Sequence, residues 1–333
     1  MKLWRKKDVD SPMTNAANEA ESKTSAGRKW TWIILGILGC LIAVCIIIMI
    51  ANYRFPSFFS VQPDQGAVGL TSTKTMISLV EKMNRRWLPN DKFYPTIFLD
   101  NPQNFQLGLL ESLRYVTRVF RDKVTRLRTT DKIDSDMENA FVFFSNDPFK
   151  WILPSAESKF KAGERSLRDY EARLLAGEAK FYPRADNLNE IIGQFVSLLG
   201  GVNTRLSNAP RRKNKTISEE TAGDEFTKGE QRVHTRVPRT KIDDNFYFAR
   251  GVAYGIRHMM IAMKYDFDNI FKVKNAEELL DRVIEVLDES QFEPLVVLNG
   301  SRGSIFANHS LQLMSLLEDA RQKMRSLQDM IRE

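Results

Sequence analysis

Cysteine is almost missing from this chain of 333 residues: there are two, Cys40 and Cys45, and both fall inside one apolar run. Everything outside that run therefore lacks a disulfide, a thiolate metal site and a cysteine nucleophile, an absence that fits an oxidising compartment. Histidine is nearly as scarce. His234, His258 and His309 lie far apart and none belongs to a paired-histidine helix motif, so neither a metal nor a cofactor is expected. The phosphate-binding glycine loop, the dinucleotide fingerprint and the Gly-x-Ser-x-Gly elbow are also missing. Asp134, Asp136 and Glu138 lie close together but lack the glycine and distal glutamate of a calcium loop, and they read as a helix start. Strand-like alternation is not found, which leaves helices to build the fold.

Charge is absent from residues 30–51, a run of 22 residues that includes eight Ile, three Leu and Val44. At about 1.5 Å per residue this run crosses a bilayer core of roughly 30 Å. Trp30 and Trp32 at one end and Tyr53, Phe55, Phe58 and Phe59 at the other are expected to form the two interfacial aromatic belts. Seven basic residues precede the run, whereas Arg54 is alone in the 20 that follow, so the tail is expected in the cytoplasm and the large domain outside it. Met49 stands two positions before Ala51, so the small-x-small pattern of a cleavage site is missing and the segment is expected to stay as an anchor. Ile37-Leu38-Gly39-Cys40 loosely resembles a lipoprotein processing site, but a chain starting at Cys40 would open with eleven more uncharged, mostly aliphatic residues.

Overall, Lys and Arg exceed Asp and Glu by seven, of which residues 1–29 hold three. The remaining surplus of four equals the net charge of residues 208–241, so the rest of the large domain is neutral and a poor match for nucleic acid. Residues 208–241 read as a charged flexible linker. A sharper reading makes Arg211, Arg212, Lys213 and Lys215 a docking strap for anionic headgroups or an acidic partner.

From residue 72 onward, apolar residues recur at spacings of four and three, the pattern of helices that bury one stripe. Seven stripes are expected, carried by Met76–Val80–Met83–Trp87, by Leu109 through Leu127 from a start near Asn104, and by Phe160 through Leu174. The fourth runs from Leu188 to Leu206, the fifth from Ala249 to Phe267, the sixth from Leu280 to Leu287, and the last from about Ile305 to the C-terminus. Ser155 caps the third, Gly177 stops it, and Asn187 with Glu190 suggests a capping box for the fourth. Residues 131–154, rich in Phe, read as an irregular aromatic plug. The expected fold is all-α: an elongated antiparallel bundle with coiled-coil-like seams behind one transmembrane helix. Its parts are a tail at 1–29, the anchor at 30–51, a juxtamembrane linker at 52–71, a first helical half at 72–207, the linker at 208–241 and a second half at 242–333.

Three polar clusters sit beside helix starts. They are Tyr182-Pro183-Arg184-Ala185-Asp186-Asn187, then Asp243-Asp244-Asn245-Phe246-Tyr247 with Arg250 and Gly251, and last Asn299-Gly300-Ser301-Arg302-Gly303 running into Asn308 and His309. Capping and Arg–Asp pairing explain each one. The functional reading gathers Arg184, Asp186, Asn187, Asp243, Asp244, Tyr247, Arg250, Asn299, Asn308 and His309 into one polar pocket for a small ligand or peptide.

Taken together, Phe181-Tyr182-x-Arg184-Ala185-Asp186-Asn187-Leu188, Asp243-Asp244-x-Phe246-Tyr247 with Arg250-Gly251, and Leu298-Asn299-Gly300-Ser301 with Ala307-Asn308-His309-Ser310-Leu311 resemble the bacterial envelope proteins of the domain of unknown function 2333 family. The resemblance covers roughly residues 70–332. It implies a Gram-negative inner membrane and a periplasmic domain, and it brings no activity. The expectation from sequence is a single-pass inner-membrane protein whose helical domain is a non-catalytic structural or interaction module with an envelope partner or a second copy of itself. The alternative is a periplasmic ligand sensor or hydrolase. The final helix, with Leu316 off its main stripe, is the expected pairing edge.

Overall fold

In the computed structural model, residues 12–64, 66–92, 95–207, 241–294, 296–298 and 307–333 are described, with side chains of the first helix from Trp30 onward. The chain divides into two units, Met1–Arg54 and Phe55–Glu333.

The first unit is one helix, α1 (Pro12–Asn52). Within it Trp30–Asn52 has a mean hydropathy of 3.3 and is long and apolar enough to cross a membrane, and none of it is buried. Polar side chains are spent locally there, as where Asn52 donates to the Ile48 carbonyl.

The second unit is all-helical among the described residues. Its elements are α2 (Leu70–Asn84), α3 (Asp100–Val119), α4 (Ser135–Phe144), α5 (Ala156–Leu175) and α6 (Ala185–Ser207), followed by α7 (Ile242–Asp266), α8 (Asp268–Val273), α9 (Glu277–Glu289) and α10 (His309–Arg332). The apolar stripes read from sequence are buried: Met76, Val80, Leu109, Leu113, Phe160, Leu167, Ile192, Phe195, Met260, Leu313 and Leu317 are all fully inaccessible. Each such residue withdraws a side chain from water for about 1.5–3 kcal/mol.

Most neighbouring helices run antiparallel. Asn189 meets Gln328 and Asn203 meets Glu318 across α6 and α10, while Arg257 meets Asp288 and Lys264 meets Asp281 across α7 and α9. The most extensive packing, between α3 and α7, is instead parallel: Asn104 lies against Asp244, Gly108 against Phe248 and Ser112 against Gly255. A Cβ at Gly108 would stand 2.0 Å from the Phe248 carbonyl oxygen, and one at Gly251 2.0 Å from that of Phe105. Here glycine is needed because two backbones touch.

Several sequence expectations change. Residues 131–154 are not an irregular plug. They form α4, capped by Asp134, which accepts from the Asp136 and Met137 amides, and a following loop whose Phe149 and Trp151 are exposed. The second stripe does not reach Leu127, because α3 passes into a π-turn at Phe120–Val124, where the Thr125 amide donates to the Phe120 carbonyl. That extra residue shifts the register, leaving Val124 buried and Leu127 exposed. The Asn187–Glu190 capping box does not form, since α6 already begins at Ala185 behind Pro183. Asn187 donates to the Tyr182 carbonyl instead, and Glu190 accepts from Gln194. Leu316 is half-buried, packed against the core. Ser155 caps α5 as expected, donor Ser158 N lying at 3.4 Å, and Gly177 ends it at φ +76°.

Candidate functional site: a helix face that grips residues 55–59

Five residues of α7, Tyr247, Arg250, Tyr254, Arg257 and His258, recur at helical spacing and share one face. Phe55, Phe58 and Phe59 lie on that face. The Phe55 ring stacks on Tyr247 at 5.2 Å and meets Phe105 edge-on at 5.3 Å. Phe58 stacks on Tyr254 at 5.8 Å, and Phe59 lies flat on the His258 imidazole with 4.2 Å between centroids. Aromatic pairs of this kind add about 0.5–1.5 kcal/mol each beyond the area they bury. The outer aromatic belt read from sequence is therefore split: Phe55 and Phe59 pack against the core, while Tyr53 and Phe58 are exposed.

Polar groups fasten the same segment. The Tyr254 hydroxyl donates to the Ser57 carbonyl at 2.8 Å, and burial pushes that phenol's pKa up, so it stays a donor. His258 bonds through both ring nitrogens. Nδ1 lies 2.8 Å from the Tyr254 carbonyl and so carries the proton, which leaves Nε2 to accept the Phe59 amide at 3.4 Å. Burial pushes the imidazole pKa down to about 4, which keeps it neutral. Cations close the groove: Arg250 lies 5.0 Å from the Phe55 ring, Arg257 3.9 Å from that of Phe58, and Lys82 5.3 Å from that of Phe59. Arg250 is buried and ties α7 to the segment after α9, donating to the Gln291 carbonyl at 3.0 Å with Glu293 at 3.7 Å. Arg257 pairs with Asp288.

Of the sequence-derived candidates, Tyr247 and Arg250 share the groove, and His309 reaches Tyr247 through the rings of Phe292 and Phe246; the other described candidates have partners of their own. Arg184 pairs with Asp186 and donates to the Leu127 carbonyl at 2.8 Å. Asn308 caps α10 by accepting the Leu311 amide at 3.0 Å. His309 is bonded twice to Leu298, its own amide donating to the carbonyl and its Nδ1 accepting the Leu298 amide, each at 2.9 Å. Asn299, Arg211, Arg212, Lys213 and Lys215 lie outside the described residues.

Asp243 and Asp244 do come together with a third residue, Asp100, which sequence reading missed because it lies 143 positions earlier. Their carboxylate oxygens fall within 4.8 Å of one another. Asn104 donates to Asp244 at 2.9 Å. Burial first, and then the charges of Asp243 and Asp100, push the Asp244 pKa up to about 6; burial and Asp100 also raise that of Asp243. Three such oxygens suit a hard divalent cation. The parallel packing of α3 and α7 also brings two positive helix ends to this spot, which explains the carboxylates without an ion.

No curated protein and no solved structure matches the chain. A family model described as an uncharacterized protein conserved in bacteria, DUF2333, matches residues 25–333, a span that takes in the apolar helix as well as the whole helical unit. The chain belongs to that bacterial family.

Proposed function

We propose that this protein is a single-pass inner-membrane protein, its N-terminal tail cytoplasmic and its helical unit periplasmic, and that the unit acts as a non-catalytic structural or protein-interaction module of the envelope. The observation that carries the anchor is Trp30–Asn52, an apolar helix with no part of it buried. Basic residues crowd the sequence before it and Arg54 stands alone after it, which supports the orientation. The module reading is supported by how the polar residues are used. Arg184, Arg250, Asn308 and His309 each bond a loop or helix end.

Crosslinking in intact cells, followed by purification and mass spectrometry of what is attached, tests this reading. A recurrent envelope protein or a specific homo-oligomer supports the module. Recovery of the protein alone moves weight to ligand binding, for which the convergence of Asp100, Asp243 and Asp244 is the favourable observation.

A further inference from the structure

Four large, exposed apolar side chains of the helical unit follow closely on one another in a short loop between α4 and α5. Phe149 is 53%, Trp151 48%, Ile152 50% and Leu153 88% exposed. A mobile coil would be an ordinary place for such residues, but this loop is held from beneath. The Trp87 indole donates to the Pro148 carbonyl at 2.9 Å, and the Lys150 carbonyl accepts from Asn90 at 3.1 Å and from the Ala156 amide at 2.9 Å. The backbone is thus held while Phe149, Trp151 and Ile152 remain about half exposed and Leu153 more so, an arrangement that costs solubility unless that exposed area is covered.

We propose that residues 149–153 are a second membrane contact, seated in the boundary between lipid headgroups and acyl chains of the bilayer that holds α1. Composition points to lipid. Phe and Trp beside Lys150, with Ile152 and Leu153, form the mixture that settles at that boundary, the lysine reaching toward phosphate. Location points the same way. Phe55 packs on Phe105; the neighbouring Gln106 accepts the Leu88 amide at 3.0 Å, and Trp87 and Asn90 hold the loop. The loop therefore belongs to the same end of the bundle as Phe55. In chain order Phe55 opens the helical unit, and Asn52, which ends α1, precedes it by three residues. Arg85, Arg86 and Lys92, all exposed, flank the loop's supports and suit anionic headgroups.

The inference rests on the anchor reading, and the test separates the two. Full-length protein with Cys40 and Cys45 changed to Ala receives one cysteine, Leu153→Cys or, as control, Val273→Cys. Val273 is 68% exposed and lies beyond the C-terminal end of α7, at the other end of that helix from Tyr247. Each variant is checked for unchanged melting, labelled with an environment-sensitive fluorophore, and reconstituted into phosphatidylethanolamine–phosphatidylglycerol vesicles carrying a shallow doxyl-labelled lipid. The expected result is that the label at 153 shifts to the blue and loses most of its emission to the doxyl lipid, while the label at 273 keeps its emission. Equal, weak quenching at both positions in protein that floats with the vesicles overturns the membrane contact alone. Shielding at 153 that grows with protein density without doxyl quenching overturns it in favour of a second copy. Protein that does not float overturns the anchor reading and this inference with it.

Discussion

His258 receives the backbone amide of Phe59 on Nε2 while the Phe59 ring covers its imidazole, so one neutral histidine holds both the main chain and the side chain of the segment that enters the helical unit. Protonation removes the acceptor and places a charge in a buried aromatic slot. The ordinary imidazole pKa is near 6.5 and the native value is pushed down to about 4. Between those limits the unfolded chain takes a proton that the native chain refuses, so stability from this group is complete above about pH 6.5 and is lost as pH falls toward 4.

Its full size is roughly 3 kcal/mol at most. Arg257 and Lys82 reinforce the effect and Asp288 opposes it. Asp243, Asp244 and Asp266, whose pKa values are raised, act in the opposite direction over part of the same range. Denaturant titrations of the parent and of His258→Gln between pH 7.5 and pH 4.5, an interval of about the size of the predicted window, isolate the histidine. The parent should lose more stability than the variant on acidification, and equal slopes would remove His258 from the account.

Backbone contact between α3 and α7 sets a second expectation. Gly251→Ala or Gly108→Ala forces a methyl group into a carbonyl oxygen and should cost several kcal/mol, roughly the scale of severe overpacking. Gly201→Ala is the counterpart: it lies in α6 with nothing within 4 Å, so removing backbone freedom should stabilise by about 0.5–1 kcal/mol. Thermal melts of the three variants decide the sign at each site.

The N-terminus of α2 has no cap of its own, because Gly69 stands at the capping position with φ +91°. Asp266, at the end of α7, supplies it by accepting the Gly69 amide at 3.1 Å and the Ser72 amide at 2.7 Å. Asp266→Ala should therefore cost about 1–2 kcal/mol, and hydrogen exchange should rise first at the amides of residues 69–73.

Among the acidic residues at the α3–α7 end, Asp244 has its pKa raised to about 6, so its charged form is held against resistance. Stability from the protonated form is present at low pH and is lost as pH rises through about 6. Asp244→Asn should raise the melting temperature at pH 8 more than at pH 5. A gain that is the same at both pH values would mean that charge crowding is not what Asp244 experiences.

Helix faces were legible in the sequence because burial of one stripe enforces its own spacing, as along Leu313, Leu317, Ala320 and Met324. The α4 helix was not, since Phe141, Val142, Phe143 and Phe144 run consecutively and carry no period, although only Phe144 of the four is buried. The parallel α3–α7 contact depends on Gly108 meeting residues 140 or more positions away, which no local pattern encodes. In the candidate site, Arg250 and Tyr247 were visible as polar residues near a helix start. Their partner Phe55 was not, because an aromatic after an apolar run reads equally as membrane belt or as groove filler. Asp100 stayed hidden for the same reason of distance.

The most direct test of the central claim is a pair of fusions placed after Glu333 in the full-length chain, one to a phosphatase that works only outside the cytoplasm and one to a reporter that works only inside it. The account predicts phosphatase activity in a membrane fraction that resists alkaline extraction, with the chain migrating at full length and the other reporter silent. Activity of the cytoplasmic reporter would contradict the orientation, and a shortened, extractable product would show that the apolar helix is removed rather than kept as the anchor.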